Sequence, residues 1–383
     1  MIHEYRLTAE DVRQQTMNTL IGNISLSANG YRCTTEMVLD VVLKASAESS
    51  SIEAVCEDLE DVADSNTIRD YLNEALDIAE LRGQEAEMNT VLAASIPVTM
   101  KRTGIEVAID FHDEPFYGKR PDLLAVTCRG KAKAGTTHFV RIASAYVIWR
   151  QVRLTLVVHY VLPGDDKLNI LKHLLRRLKT LGFTFEVLYM DKGFASTAII
   201  DYLTRQGQPT IIACPIRGKE GGTRALCKGR KSYLTEYVFT DGTPTTLAMV
   251  ATLVPDKTGR RRRKWLAFIV IGLDWPPHKV YQEYRRRFGI ECSYRLMRRV
   301  RASTTSRNPA LRFFLLGIGL VLVNVWVFLR WEFARLMARG PRRIDPARLR
   351  FHRFTRLLIR SIEVIYGTVM SIPTHQSPQS VIY

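Results

Sequence analysis

"FFLLGIGLVLVNVWVFLRW", residues 313–331, is the stretch on which the fold turns. Read as a membrane span, it makes the chain an anchored protein. Read as a core helix, it leaves room for one large α/β domain. A span needs about 20 apolar residues, so this run lies at the short edge of that requirement. Asn324 interrupts it, and no second stretch of the chain has the same character. A helix that is apolar all round is buried equally well inside a large domain. The expectation is a buried helix, without stable membrane insertion.

Immediately upstream lies its opposite in character, "YQEYRRRFGIECSYRLMRR", residues 281–299. It holds six arginines, four aromatics and only two carboxylates, Glu283 and Glu291. A solvated basic helix is the plain reading, with Glu291 paired to Arg287 or Arg295 at i±4. Phase suggests more. At about 100° per residue, Tyr284, Arg287, Glu291 and Arg298 point within roughly 60° of one another. A stripe of phenol, guanidinium, carboxylate and second cation suits phosphate gripping beside a metal-holding acid. Glu283 lies outside the stripe and keeps the salt-bridge reading.

Charge along the whole chain supports a polyanionic partner. The formal net charge is +17, but residues 1–100 hold 6 Lys+Arg against 18 Asp+Glu, and the remaining 283 hold 49 against 20. An acidic front and a strongly basic body point to nucleic acid through phosphate neutralisation. Six scattered cysteines, with no C-x-x-C and no zinc-spaced histidine pair, read as reduced thiols of a cytoplasmic protein. The opening "MIHEYRLTAEDVRQQ" has no apolar signal core.

Five segments emerge. Residues 1–100 form a helical N-terminal domain, with amphipathic helices opening near Thr34 or Thr35, Ser50 and Ser65. Helix-turn-helix and plain assembly bundle are both open readings, and the acidity weakens the first. Residues 101–216 run β-β-β-α-β-α-β, a mixed sheet with helices on its faces. Residues 217–263 read as a β-rich insertion with a "DG" turn at Asp241–Gly242 and a basic loop of Arg260, Arg261, Arg262, Arg263 and Lys264, suited to phosphates. Residues 264–340 return to helix and carry Glu291. Residues 341–383 form a basic helix and a loose, proline-containing tail.

Three acids stand at telling places in this outline. Asp110 lies near the end of the first strand, in "VAIDFHDEPFYGK", with Asp113 and Glu114 as rivals. Asp191 follows a later strand in "VLYMDKGF", where serving a turn or capping a helix is the bland alternative. Glu291 lies in the late basic helix. Acids at strand ends face the ligand crevice of an α/β sheet. Converging carboxylates are what hard divalent cations need.

These residues together resemble the DDE transposases of prokaryotic insertion sequences, in the group with a Y-R-E-K signature. Tyr284, Arg287 and Glu291 match that spacing, and Arg298 stands where the signature has lysine. "YMDKGF" and "AIDFHDEPFYG" resemble the family's two aspartate motifs, so the likeness spans about residues 105 to 330; its softer features resemble an archaeal subgroup. The resemblance implies an RNase H-like α/β core, with a β-rich insertion between Asp191 and Glu291. It implies catalysis by Asp110, Asp191 and Glu291 holding two Mg²⁺ (or Mn²⁺) ions. The partners it implies are double-stranded DNA, as the element's terminal inverted repeats and as target, and a second copy of the chain on that DNA. Arg295 joins Tyr284, Arg287 and Arg298 as an expected DNA contact. The competing readings are an RNase H-like nuclease that does not join strands, and a basic DNA-binding protein without catalysis, in which the three acids do not converge.

Overall fold

The computed structural model describes residues 6–30, 33–255, 259–336, 340 and 342–372. The polar tail expected to be loose lies almost wholly outside them. Five helices open the chain: α1 (Ala9–Leu20), α2 (Thr35–Glu48), α3 (Ile52–Asp58), α4 (Ser65–Ala75) and α5 (Leu81–Ala94). Thr34 caps α2, accepting from the Met37 N–H, and Ser51 rather than Ser50 caps α3. α1 was not anticipated. Its signal is a capping box in which Thr8 and Asp11 satisfy each other's backbone N–H groups.

A nine-stranded mixed sheet follows. Its strands are β1 (Ile105–Phe116), β2 (Cys128–Lys133), β3 (Thr136–Trp149), β4 (Val152–Val161), β5 (Phe185–Met190), β6 (Thr210–Cys214), β7 (Tyr233–Val238), β8 (Pro244–Pro255) and β9 (Arg261–Ile271). β3 lies antiparallel to β1, β2 and β4, while β1, β5 and β6 are parallel neighbours. The helices α6 (Lys167–Thr180) and α7 (Thr197–Arg205) make the crossovers that parallel strands require.

The strands between residues 233 and 271, which include the β-rich stretch expected over 217–263, continue the main sheet, because β9 pairs antiparallel with β6 from Thr210 to Cys214. One expectation changes here. The expected basic loop is a strand end: Arg261–Lys264 open β9 and pair with Thr252–Pro255 of β8. Alternation of polar and apolar residues is lost in that run, so it reads as a loop although a long hairpin carries it.

After β9 come α8 (Pro277–Tyr284), α9 (Phe288–Arg298), α10 (Pro309–Phe333) and α11 (Phe351–Tyr366). The apolar run is inside α10, a 25-residue helix long and apolar enough to cross a membrane, yet mostly buried within the protein. α5, α9 and α10 cover one face of the sheet, while α6 and α7 cover the other. α11 returns to pack on α1 and α2, so the first and last helices share one core.

Asn324 explains why α10 tolerates an amide. Its Oδ1 accepts from the Thr155 N–H at 3.2 Å, and its Nδ2 donates to the carbonyls of Thr155 at 2.8 Å and Leu92 at 3.2 Å. Thr155 lies on β4, beside the register shift where β3 passes it. Farther along β4, Asn89 bonds both backbone groups of Val158, and Glu85 accepts from the Tyr160 N–H. Side-chain amides and carboxylates thus satisfy strand groups that have no ladder partner. Asn324→Leu should cost about 2–4 kcal/mol, because it strands buried backbone groups that each cost about 1–3 kcal/mol unpaired. Urea unfolding checks this, and an unchanged midpoint would contradict it.

Candidate active site

β1 and β5 run parallel, and their pairing ends at Ile109 opposite Met190. The next residue on each strand is an aspartate, so the register alone sets Asp110 beside Asp191. β1 itself continues to Phe116 against β3, which places Asp110 mid-strand instead of near a strand end. Its two rivals are engaged elsewhere: Arg141 binds Asp113 through Nε and Nη2 at 2.6 and 3.0 Å, and Glu114 pairs with Arg301.

Asp191 opens a single 3₁₀ turn, Lys192–Phe194, but its side chain makes no capping bond. The turn is anchored by Phe194, which is fully buried and stacks on Phe111 with ring centroids 4.7 Å apart. Tyr284 anchors the other side, its hydroxyl donating to the Met190 carbonyl at 3.2 Å. Burial raises the Tyr284 phenol to about 12, so it stays a neutral donor.

The basic stretch is not one continuous helix. α8 stops at Tyr284, a 3₁₀ turn spans Arg285–Arg287, and α9 starts at Phe288. Arg287, the last residue of that turn, faces inward and is only 5% exposed. Its guanidinium meets all three acids: Nη1 lies 2.7 Å from Asp110 Oδ2, and Nη2 lies 3.3 Å from Glu291 Oε1 and 3.9 Å from Asp191 Oδ1. Burial pushes the Asp110 carboxyl above the usual carboxylate range, against the pull of Arg287 and the Phe111 N–H. Burial alone would lower the arginine's pKa, but the hydrogen-bonded Asp110 carboxylate helps to hold it above its ordinary value.

The expected stripe therefore divides. Tyr284 and Arg287 face the protein interior, whereas Glu291, Arg295 and Arg298 are exposed. The two buried members do not offer a surface to DNA; they shape the acid cluster. Glu291, Arg295 and Arg298 line a cleft of about 410 Å³ together with Asp110 and Lys133. The hairpin arginines and Lys264 are exposed on a different part of the sheet, at its far end beyond β6. Glu283 pairs with Arg286 at 3.1 Å, consistent with a structural role.

Two contributors escaped the sequence reading. Tyr294, buried on α9, shares a 2.6 Å hydrogen bond with Ser144, the residue opposite Asp110 on β3. His112 stacks on Tyr294 at 4.7 Å, and burial, with Arg298 and Arg301 adding, holds it down to about 3 and therefore neutral. A tyrosine three residues after Glu291 was visible, but nothing local shows that it turns under β1.

The carboxylates meet the donor preference of a hard divalent cation, with neither thiol nor imidazole among them. They do not crowd within one metal's reach of each other, since the groups that do so among the described residues lie elsewhere. Each converges instead on the one guanidinium.

The fold has a counterpart among solved structures. The piggyBac transposase synaptic complex with hairpin DNA, determined by cryo-EM, superposes with a TM-score of 0.57 at 11% identity, over 94% of this chain and 78% of that one. No curated protein matches. Residues 151–324 match the family described as Transposase DDE domain, a segment that includes Asp191 and Glu291 and begins after Asp110. That match spans less than half of the chain.

Proposed function

We propose that this chain is the transposase of a prokaryotic insertion sequence, cutting DNA at the element's ends and joining the freed 3′-OH to target DNA. The observation that carries the reading is the convergence of Asp110, Asp191 and Glu291, from three distant segments, on Arg287 beside a cation-lined cleft. A DNA-binding protein without catalysis has no need of that convergence. The DDE domain match and the fold support the same reading.

Asp110, Asp191 and Glu291 would hold two Mg²⁺ (or Mn²⁺) ions, whose chemistry is activation of an attacking oxygen and stabilisation of a leaving one. The rest of the task falls to this chain's side chains. Arg287 offsets the mutual repulsion of the acids and fixes their separation. Tyr284 holds the end of β5, and therefore Asp191. Tyr294 and Ser144 brace β1 behind Asp110. Arg295, Arg298 and Lys133 bind phosphates along the cleft, and arginine at position 298 offers a planar fork where lysine would offer a point charge. The exposed hairpin of Arg261–Lys264 extends the basic surface along the duplex. We assign the work to a homodimer on terminal inverted repeats, in the cytoplasm.

The decisive experiment incubates the purified chain with its own element ends, Mg²⁺ and a target plasmid, and maps the junctions. Joined products are expected. Cleavage without joining would indicate a hydrolytic nuclease, and neither would indicate a binding protein. Affinity for element ends should also fall about 10³-fold or more between 50 and 200 mM salt, as six or more phosphate contacts require. A flat salt profile in a filter-binding assay would remove the basic body from the DNA interface.

A further inference from the structure

Away from the carboxylate cleft, three other segments bring a second donor set together. Glu85 of α5, His159 of β4 and His173 of α6 place one ligand atom each within 4.8 Å of one another. His159 Nδ1 lies 3.0 Å from Glu85 Oε1, and His173 Nε2 lies 3.1 Å from the same oxygen. The imidazole rings are 4.7 Å apart. Glu85 and His159 are buried, at 3% and 8% exposure. They open on a cleft of about 590 Å³ that also reaches Asp165 and Asn169.

The surroundings of these atoms are organised for coordination. Glu85 Oε2 is held by the Tyr160 N–H at 2.9 Å and by Arg82 at 2.8 Å, which leaves Oε1 turned to the histidines. The other nitrogen of His159, Nε2, faces Asp165 Oδ2 at 3.6 Å. That carboxylate is itself fixed by the Leu162 N–H at 2.8 Å. A carboxylate behind a histidine sets its tautomer and raises its basicity as a ligand. His173 Nε2 is buried but lacks an aligned hydrogen-bond partner, although it points into the cluster. A single carboxylate oxygen shared by two imidazoles therefore leaves one nitrogen unsatisfied. A cation among the three would satisfy all of them.

We propose that Glu85, His159 and His173 form a Zn²⁺ site with its fourth position open to the cleft, clamping the N-terminal helices to the catalytic sheet. Two imidazoles and a carboxylate suit Zn²⁺ at about 2.0–2.2 Å per bond. Tetrahedral ligands at that bond length stand about 3.4 Å apart, so the two separations from Glu85 Oε1 need to open by only a few tenths of an ångström. Arg82 and Asp165 neutralise each other at the rim, with 3.3 Å between them. That leaves Glu85 as the negative charge offered to the ion. The site joins α5, which closes the unpaired side of β4, to α6 on the opposite face. Metal binding would thus fasten both layers to one strand.

The test uses the full chain, stripped with chelator and titrated with Zn²⁺ alone against a chromogenic competitor. One equivalent is expected, together with a rise in melting temperature. Co²⁺ in its place should give the intense visible absorption of a four-coordinate site. His173→Ala, at a half-exposed position, should leave the melting temperature of the stripped protein unchanged and abolish the stoichiometric binding. Asp165→Asn should weaken binding by about 10–100-fold, as loss of a group behind a ligand does. Asp191→Asn should retain the site, which separates it from the transposase carboxylates. Absence of stoichiometric binding by the unaltered chain, or equal binding by His173→Ala, would overturn the proposal.

Discussion

Asp191→Asn is expected to abolish DNA cleavage and joining, a loss of about 10³-fold, the upper end for removing one electrostatic stabiliser, while binding to element ends stays unchanged. The substitution keeps size and hydrogen-bonding capacity but removes the charge that a divalent ion requires. The side chain has no structural duty to lose, since it caps nothing and stands 3.9 Å from Arg287, beyond a close ion pair. Its turn is held by Phe194 and Tyr284 through groups the substitution does not touch. Binding and catalysis should therefore separate cleanly in gel-shift and strand-transfer assays. A purified variant that still joins strands with Mg²⁺ would remove Asp191 from the catalytic set.

Arg287→Met acts in the opposite way, on the protein first and the reaction second. Removing one partner of a buried ion pair leaves an uncompensated charge, typically worth about 3–5 kcal/mol. Asp191 and Glu291 are a third to a half exposed, so their share is screened and the net loss should be about 2–3 kcal/mol at neutral pH. The pH dependence has a definite sign. Asp110 is already raised by burial, so the folded state binds its proton more tightly than the unfolded state does. Stability from that source is present in acid and lost as pH rises through the folded pKa. Without Arg287 the pKa rises further, so the variant should recover part of its loss as pH falls toward 5. Urea midpoints at pH 7 and pH 5 check this. A deficit that does not shrink in acid would mean that Arg287 supports packing and not charge.

Much of the site was legible because it rests on local patterns. The Y-x-x-R-x-x-x-E spacing selected Glu291, and strands running into acids selected Asp110 and Asp191. What was hidden depends on tertiary context. A uniform helical phase puts Tyr284, Arg287, Glu291 and Arg298 on one stripe. In the structure the first two face inward and the last two are exposed, with a 3₁₀ turn at Arg285–Arg287 between the two helices. No proline marks the break, and Gly289 two residues beyond the turn is a weak warning. In the fold, mixed order and the buried apolar helix followed from periodicity and length. The hairpin ending in Arg261–Lys264 did not, because its register is set by pairing with a distant strand and not by its own alternation. Asn324 shows the same limit: its polarity argued against a membrane, but only the structure reveals the backbone groups of Thr155 that require it.

The meeting of α11 with α1 and α2 has a consequence for synthesis on the ribosome. Tyr366 donates to Asp40 at 2.9 Å, and Glu363 lies 3.0 Å from Lys44, so partners more than 300 residues apart complete one another's burial. The N-terminal helices emerge first, yet a side of their core stays uncovered until residues near 366 have left the exit tunnel. Contacts of such separation form late and leave apolar surface exposed meanwhile. A product broken off before α11 would retain the three acids around Arg287 and still lack the packing that closes its N-terminal helices. Premature termination should thus yield chains cleared by proteolysis.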